Sequence, residues 1–146
     1  MGPAGREMPK PMLPIGGRPV LWHIMNIYAS QGHRNFVLAL GYLSEVIKSY
    51  FLAFDPLNQD FSVQVGAGVR SEPVLLGEDL ANPPWTVTCV DTGLDSGTGA
   101  RVKRAFGRTD GGQVMVTYGD GVGNVDIAAL LEFHRQAGVL ATVTAG

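Results

Sequence analysis

Apolar and polar positions alternate along this chain in two rhythms, one helical and one extended. Leu21, Ile24, Met25 and Tyr28 recur at three- and four-residue spacing, which predicts a helix with one apolar face. Pro19 suits its first turn, Ser30 lies near its end, and Gly32 stops it. Phe36–Leu40 is an unbroken apolar run of strand length, the pattern of a sheet covered on both faces. A second helix is expected from about Ser44 to Phe51, with Val46, Ile47 and Tyr50 turned inward. Phe61–Val65 alternates as a half-buried strand should, and residues 66–84 read as an irregular excursion. Trp85–Val90 alternates again and runs into the turn signal Asp91, Thr92, Gly93. A helix over Thr98–Phe106, a strand over Val114–Tyr118, a helix over Asp126–Gln136 and a strand over Leu140–Thr144 complete the pattern.

Strand and helix thus alternate, which predicts an α/β domain with a mainly parallel sheet. Residues 1–18 hold four prolines and four glycines and are excluded from regular helix or central strand. The first helix has no strand before it, and the last strand has no turn or cover after it. Both ends are expected to be cut, leaving residues 1–146 as one partial domain.

Composition narrows the function classes. A formal charge of -2 argues against nucleic acid or an anionic membrane as the main partner, while leaving room for a small anionic ligand. Cys89 is the single cysteine, so an internal disulfide and a multi-cysteine zinc site are excluded, and a buried structural thiol is expected. No apolar run reaches the roughly 20 residues of a membrane helix, and the first residues lack a signal-peptide core. The expected address is the cytoplasm.

Three segments carry candidate chemistry. Val114–Tyr118 leads into Gly119, Asp120 and Gly121, a carboxylate between glycines at the end of a predicted strand. Ligands of open α/β sheets collect at such ends, glycines permit close approach, and a carboxylate offers hard oxygens to magnesium (Mg2+). A turn aspartate bonded to its own backbone fits the same pattern, and both readings stay open. In the second segment, Gly93, Gly97 and Gly99 loosen a loop before a helix that Thr98 can cap. Amides at that helix start suit an anion or the polar edge of a base, with Arg101, Lys103 and Arg104 nearby; a solvated basic helix is the competing reading. In the third, Lys10 lies between Pro9 and Pro11, so a stiff backbone confines its ammonium, as suits a phosphate partner or a plain solvated turn. His23, His33 and His134 match no metal spacing, and no strand–Gly-x-Gly-x-x-Gly–helix unit supports a dinucleotide enzyme.

These segments occur in the order found in the glucose-1-phosphate cytidylyltransferases, a branch of the sugar-1-phosphate nucleotidyltransferases, and the chain resembles that family from about residue 8 onward. Lys10–Met12 with Ile15–Met25, Gly41–Tyr42 with Glu45–Phe51, and Val87–Gly93 carry the resemblance. Thr98–Arg104 is similar to the family's threonine-glycine-glycine-arginine segment, with Ala100 in place of the second glycine. The combination of Trp22–Met25 with Tyr118–Gly121 is specific to this branch.

The resemblance implies a three-layer, Rossmann-like (GT-A-like) nucleotidyltransferase domain with a mostly parallel sheet, here incomplete. It implies transfer of a nucleotidyl group from CTP to glucose 1-phosphate, giving CDP-glucose and pyrophosphate. Lys10 would neutralise phosphate charge, Asp120 would hold magnesium, and Gly97, Thr98, Gly99 and Arg101 would line the nucleotide pocket. Lys103 and Arg104 receive no substrate contact. The family's first strand and its Gly-Gly-x-Gly-Thr-Arg loop have no counterpart, since Gly2–Arg6 is too short, and the far sugar-binding half is missing too. The chain alone is therefore expected to be inactive or weak. Three alternatives remain: another nucleoside triphosphate, a non-catalytic nucleotide-binding fragment, or a fragment that pairs with another subunit, including a homo-oligomer.

Overall fold

Lys10–Met12 makes one turn of 3-10 helix, after which the chain doubles back as a two-residue hairpin of β1 (Pro14–Ile15) and β2 (Arg18–Pro19). Gly16 and Gly17 form its turn at φ 55° and 83°, where residues with a Cβ are strained. The computed structural model describes residues 8–66, 69–70, 72–76 and 84–145. They fall into a first unit around Asn35–Val116 and a second unit made of Lys10–Arg34 and Thr117–Gly146. The segment Gly2–Arg6 lies outside the described residues.

In the second unit, helix α1 (Val20–Ser30) follows the hairpin directly. Pro19 stands one residue before the helix, at φ -61° and ψ 150°, and serves as its N-cap instead of entering the first turn. The helical spacing of apolar residues is realised, since Val20, Leu21, Ile24, Met25 and Ala29 are buried. Tyr28, expected on that face, is half-buried. Gly32 adopts φ 94° just past the helix end, where His33 donates its amide to the Tyr28 carbonyl.

The first unit is built on β3 (Asn35–Leu40). The chain continues through α2 (Ser44–Leu52), α3 (Phe54–Asn58), and the short strands β4 (Phe61–Ser62), β5 (Val65–Gly66), β6 (Val69–Arg70) and β7 (Val74–Leu75). It returns as β8 (Thr86–Asp91) and leaves through α4 (Thr98–Phe106). β3 and β8 run parallel in register, from Asn35 opposite Thr86 to Leu40 opposite Asp91. Helix α4 packs on β3 and α2 packs near β8. Leu40 and Ile47 are buried, and Phe36 meets Trp85 edge-on at 5.7 Å. The α/β class with parallel pairing is therefore present.

Helix α5 (Ile127–Ala137) closes the second unit. Asp126 caps it from outside, its Oδ1 accepting the Ala129 amide at 2.9 Å, so the helix begins one residue later than its apolar pattern suggested. Gln31, at the end of α1, accepts the Ala128 amide at 3.3 Å and ties the two helices together.

Three expected strands differ. Phe61–Val65 is not one strand: Phe61–Ser62 pairs antiparallel with Val74–Leu75, and Val65–Gly66 pairs with Val69–Arg70. Val114–Tyr118 and Leu140–Thr144 enter no ladder among the described residues. Alternation or an apolar run gives a segment its extended preference, but a strand also needs a neighbour to receive its amides and carbonyls. Val116 and Val143 remain 62% and 87% exposed, so neither segment has found a covering face.

Candidate nucleotide-binding site

At the carboxyl ends of β3 and β8 the first unit gathers a compact set of polar groups. Thr92, directly after β8, is fully buried. Its amide and its hydroxyl both donate to the Leu40 carbonyl, at 2.8 and 2.7 Å, and bind the two strand ends together. Gly93 then turns at φ 87°, its amide donating to Asp91 Oδ1 at 3.1 Å. Ser96 donates its hydroxyl to the Thr92 carbonyl at 2.6 Å, which closes a tight loop before α4.

Two arginines reach back from α4 into this loop. Arg101 donates from Nε to the Ser96 carbonyl at 2.9 Å and from Nη2 to the Leu94 carbonyl at 3.0 Å. Its Nη1 donates to Thr92 Oγ1 at 2.8 Å and to the Leu40 carbonyl at 3.2 Å. Arg104 donates from Nη1 to the Thr92 carbonyl and to Ser96 Oγ. Gly97 is the N-cap of α4 with extended backbone, and Gly97, Thr98 and Gly99 are exposed. A Cβ at Gly97 or Gly99 would meet nothing within 4 Å, so the surface over this helix start is open. Thr98 is the first residue of α4, and no side-chain hydrogen bond caps the helix, so the capping expected of Thr98 is not made.

The second unit holds the other candidates. Lys10 opens the 3-10 turn, exposed, with its carbonyl accepting the Leu13 amide at 3.1 Å. Asp120 is exposed between Gly119 and Gly121. A Cβ at Gly119 would lie 3.5 Å from Pro11 Cγ and 3.7 Å from Leu21 Cδ1, so the Lys10 turn and the Asp120 loop meet. Beside that loop a cleft of about 250 Å³ is lined by Ile24, Tyr28, Thr117, Gly121, Val125 and Ile127 among others. Among the described residues no three or more His, Cys, Asp or Glu side chains gather as a metal site. Asp120 alone suits magnesium only as one carboxylate supplemented by substrate phosphates, a donor set that ion accepts. Cys89, in β8, is a half-buried thiol pushed above its ordinary pKa by burial, with Lys48 opposing.

Known proteins supply the rest of the setting. No family model matches the chain. Over 138 residues it is 41% identical to the glucose-1-phosphate cytidylyltransferase of Salmonella typhimurium, covering 94% of this chain and 52% of that protein. Over 144 residues it is 36% identical to a Bacillus subtilis protein named probable glucose-1-phosphate cytidylyltransferase, covering 99% of this chain and 54% of that protein. By sequence, the chain is similar to proteins named glucose-1-phosphate cytidylyltransferase. A D-glycero-alpha-D-manno-heptose 1-phosphate guanylyltransferase of Aneurinibacillus thermoaerophilus is 28% identical over 128 residues, so the likeness extends to proteins named for another base and sugar. The chain spans about half the length of the cytidylyltransferases it matches.

The expected site residues fall in two sets. Gly97, Thr98, Gly99 and Arg101 belong to the first unit, and Lys10 and Asp120 to the second. Arg101 turns its guanidinium into the loop, where four acceptors take it up. Thr92, Ser96 and Gly41 carry much of the loop's geometry yet were given no site role from sequence. Thr92 sat in a plain turn signal, and only its place immediately after a buried strand hinted at more.

Proposed function

We propose that this chain is the nucleotide-binding part of a sugar-1-phosphate nucleotidyltransferase domain that uses CTP and glucose 1-phosphate. The observation that carries the proposal is the open helix start at Gly97–Gly99, held at the carboxyl ends of two parallel strands, in a chain 36–41% identical to cytidylyltransferases. In the reaction, a phosphate oxygen of glucose 1-phosphate attacks the α-phosphorus of CTP. The bond from that phosphorus to the β-phosphate bridging oxygen breaks, and pyrophosphate leaves with its electron pair.

Such a transfer needs positioning and charge neutralisation more than covalent help. Lys10, confined by Pro9 and Pro11, is suited to neutralise phosphate charge. Asp120 would hold magnesium, whose chemistry is to offset charge on the phosphate oxygens. The open space at Gly121, where a Cβ would meet nothing within 4 Å, leaves room for a hydrated cation and phosphate. Gly97, Thr98 and Gly99 would offer backbone to the nucleotide, and Arg101 would support them from beneath. A cytoplasmic address suits these substrates, and no helix among the described residues is long and apolar enough to cross a membrane.

Calorimetric titration of the chain with CTP, with and without magnesium, tests the reading. Magnesium-dependent binding that falls in Asp120→Ala and Lys10→Met supports it. A folded chain that binds no CTP, or binds CTP, UTP, dTTP and GTP alike, sinks the cytidylyl assignment.

A further inference from the structure

We infer that Thr92 and Arg104 are positioning residues for the nucleotide loop, setting where Gly97, Thr98 and Gly99 stand without touching substrate themselves. Thr92 is the one buried polar residue among those described, and every polar atom it owns is used. Its amide and hydroxyl grip Leu40, its hydroxyl oxygen receives Arg101 Nη1, and its carbonyl receives both Ser96 Oγ and Arg104 Nη1. The carbonyl of a strand end is thereby linked through two side chains to the helix that follows. A buried hydroxyl with all its partners is geometrically committed, because losing one leaves another unpaired away from water.

Arg104 closes the circuit from the helix side. From the second turn of α4 it spans Thr92 and Ser96, and so fixes the distance between β8's end and the helix start. Gly93 makes room for it: a Cβ there would lie 3.2 Å from Arg104 Nη1 and 3.1 Å from Ser96 Oγ, at φ 87°. The helix start therefore cannot drift without breaking bonds at Thr92, Ser96 and Arg104 together. Close positioning of a phosphate-facing backbone is what nucleotidyl transfer demands.

The inference takes its purpose from the CTP reading above, but its geometry is tested apart from it. Thr92→Val keeps the side-chain shape and removes the hydroxyl, Thr92→Ser restores the hydroxyl, and Arg104→Gln removes the outer clasp at an exposed position. Two readouts are taken on each: CTP affinity in magnesium, and amide hydrogen exchange resolved by residue. Thr92→Val and Arg104→Gln are expected to weaken CTP binding by about tenfold, with Thr92→Ser within about threefold of the parent. The Arg101 amide, bonded to the Gly97 carbonyl at 3.1 Å, should exchange faster in the same two variants while the β3–β8 ladder stays protected. Unchanged exchange at residues 97–101, or faster exchange with unchanged CTP affinity, overturns the inference. If the parent chain binds no CTP, the nucleotide reading falls and the exchange readout alone decides whether Thr92 and Arg104 hold the loop. Should Thr92→Val not fold, Arg104→Gln decides both readouts.

Discussion

At Gly41, immediately after β3, an added Cβ would collide with the Arg101 guanidinium, whose Nη2 and Cζ stand 2.8 and 2.9 Å from the position it would occupy. The obstacle is the far end of a long side chain, so Gly41→Ala should displace Arg101 and leave the strand in place. The expected loss is about 1–3 kcal/mol, the cost of stranding the acceptors that Arg101 serves, read from urea unfolding. Arg101→Ala should cost a similar amount, and the double variant little more than either, because both remove the same bonds. Cys89 gives a second test at this scale. Burial raises its pKa and Lys48 only partly offsets that, so less thiolate is present at neutral pH than in the unfolded chain. The native thiol should react with a disulfide reagent more slowly than in urea, and more slowly still in Lys48→Met. Because the folded pKa is the raised one, the contribution of Cys89 to stability is complete below the unfolded pKa. It is lost as pH climbs from there through the folded value, and Cys89→Ser should remove that part of the alkaline decline.

Among the elements, α5 is the clearest case of local chemistry fixing both ends. Asp126 satisfies the Ala129 amide at its start, and Gly138 takes a left-handed conformation, φ 60°, at its finish. Asp126→Ala should lower stability by about 1 kcal/mol, and Gly138→Ala by about 1–2 kcal/mol through the strain of a Cβ at that φ. Thermal unfolding followed by circular dichroism measures both. The sequence pattern placed Asp126 inside this helix, and the structure moves it one residue out to the cap. The helices α1, α2 and α4 fall within a residue of their expected ranges, although none of them has a side-chain cap. The strand β3 was legible as an apolar run and β8 as an alternating one, and their parallel pairing followed from the helices between them. Val114–Tyr118 shows the limit: its residues prefer an extended backbone, but no ladder receives them among the described residues. Pattern states a preference, and a neighbouring strand decides whether it is realised.

For the molecule as a whole, the balance between buried and exposed apolar surface is the telling property. Leu52, Val74, Leu140 and Val143 are between 63% and 106% exposed. Soluble monomers rarely leave large apolar patches uncovered. The native chain should therefore bind the dye ANS before any unfolding, and Leu140→Ser combined with Val143→Thr should reduce the signal. A native chain that leaves the dye dark would mean that these side chains are covered in solution.

The sequence by itself determined the alternation of helices and strands, the glycines that turn the chain at 32 and 93, the family likeness, and Lys10, Asp120 and Gly97–Gly99 as candidates. Each of these depends on residue type and short spacing, which a chain carries whether folded or not. The tertiary structure alone decided that Thr92 grips Leu40 across 52 residues, that Arg101 fills the space Gly41 leaves, and that Arg104 locks the loop. Those roles belong to no residue type, because a threonine or a glycine becomes essential only when folding brings a distant partner within about 3 Å of it.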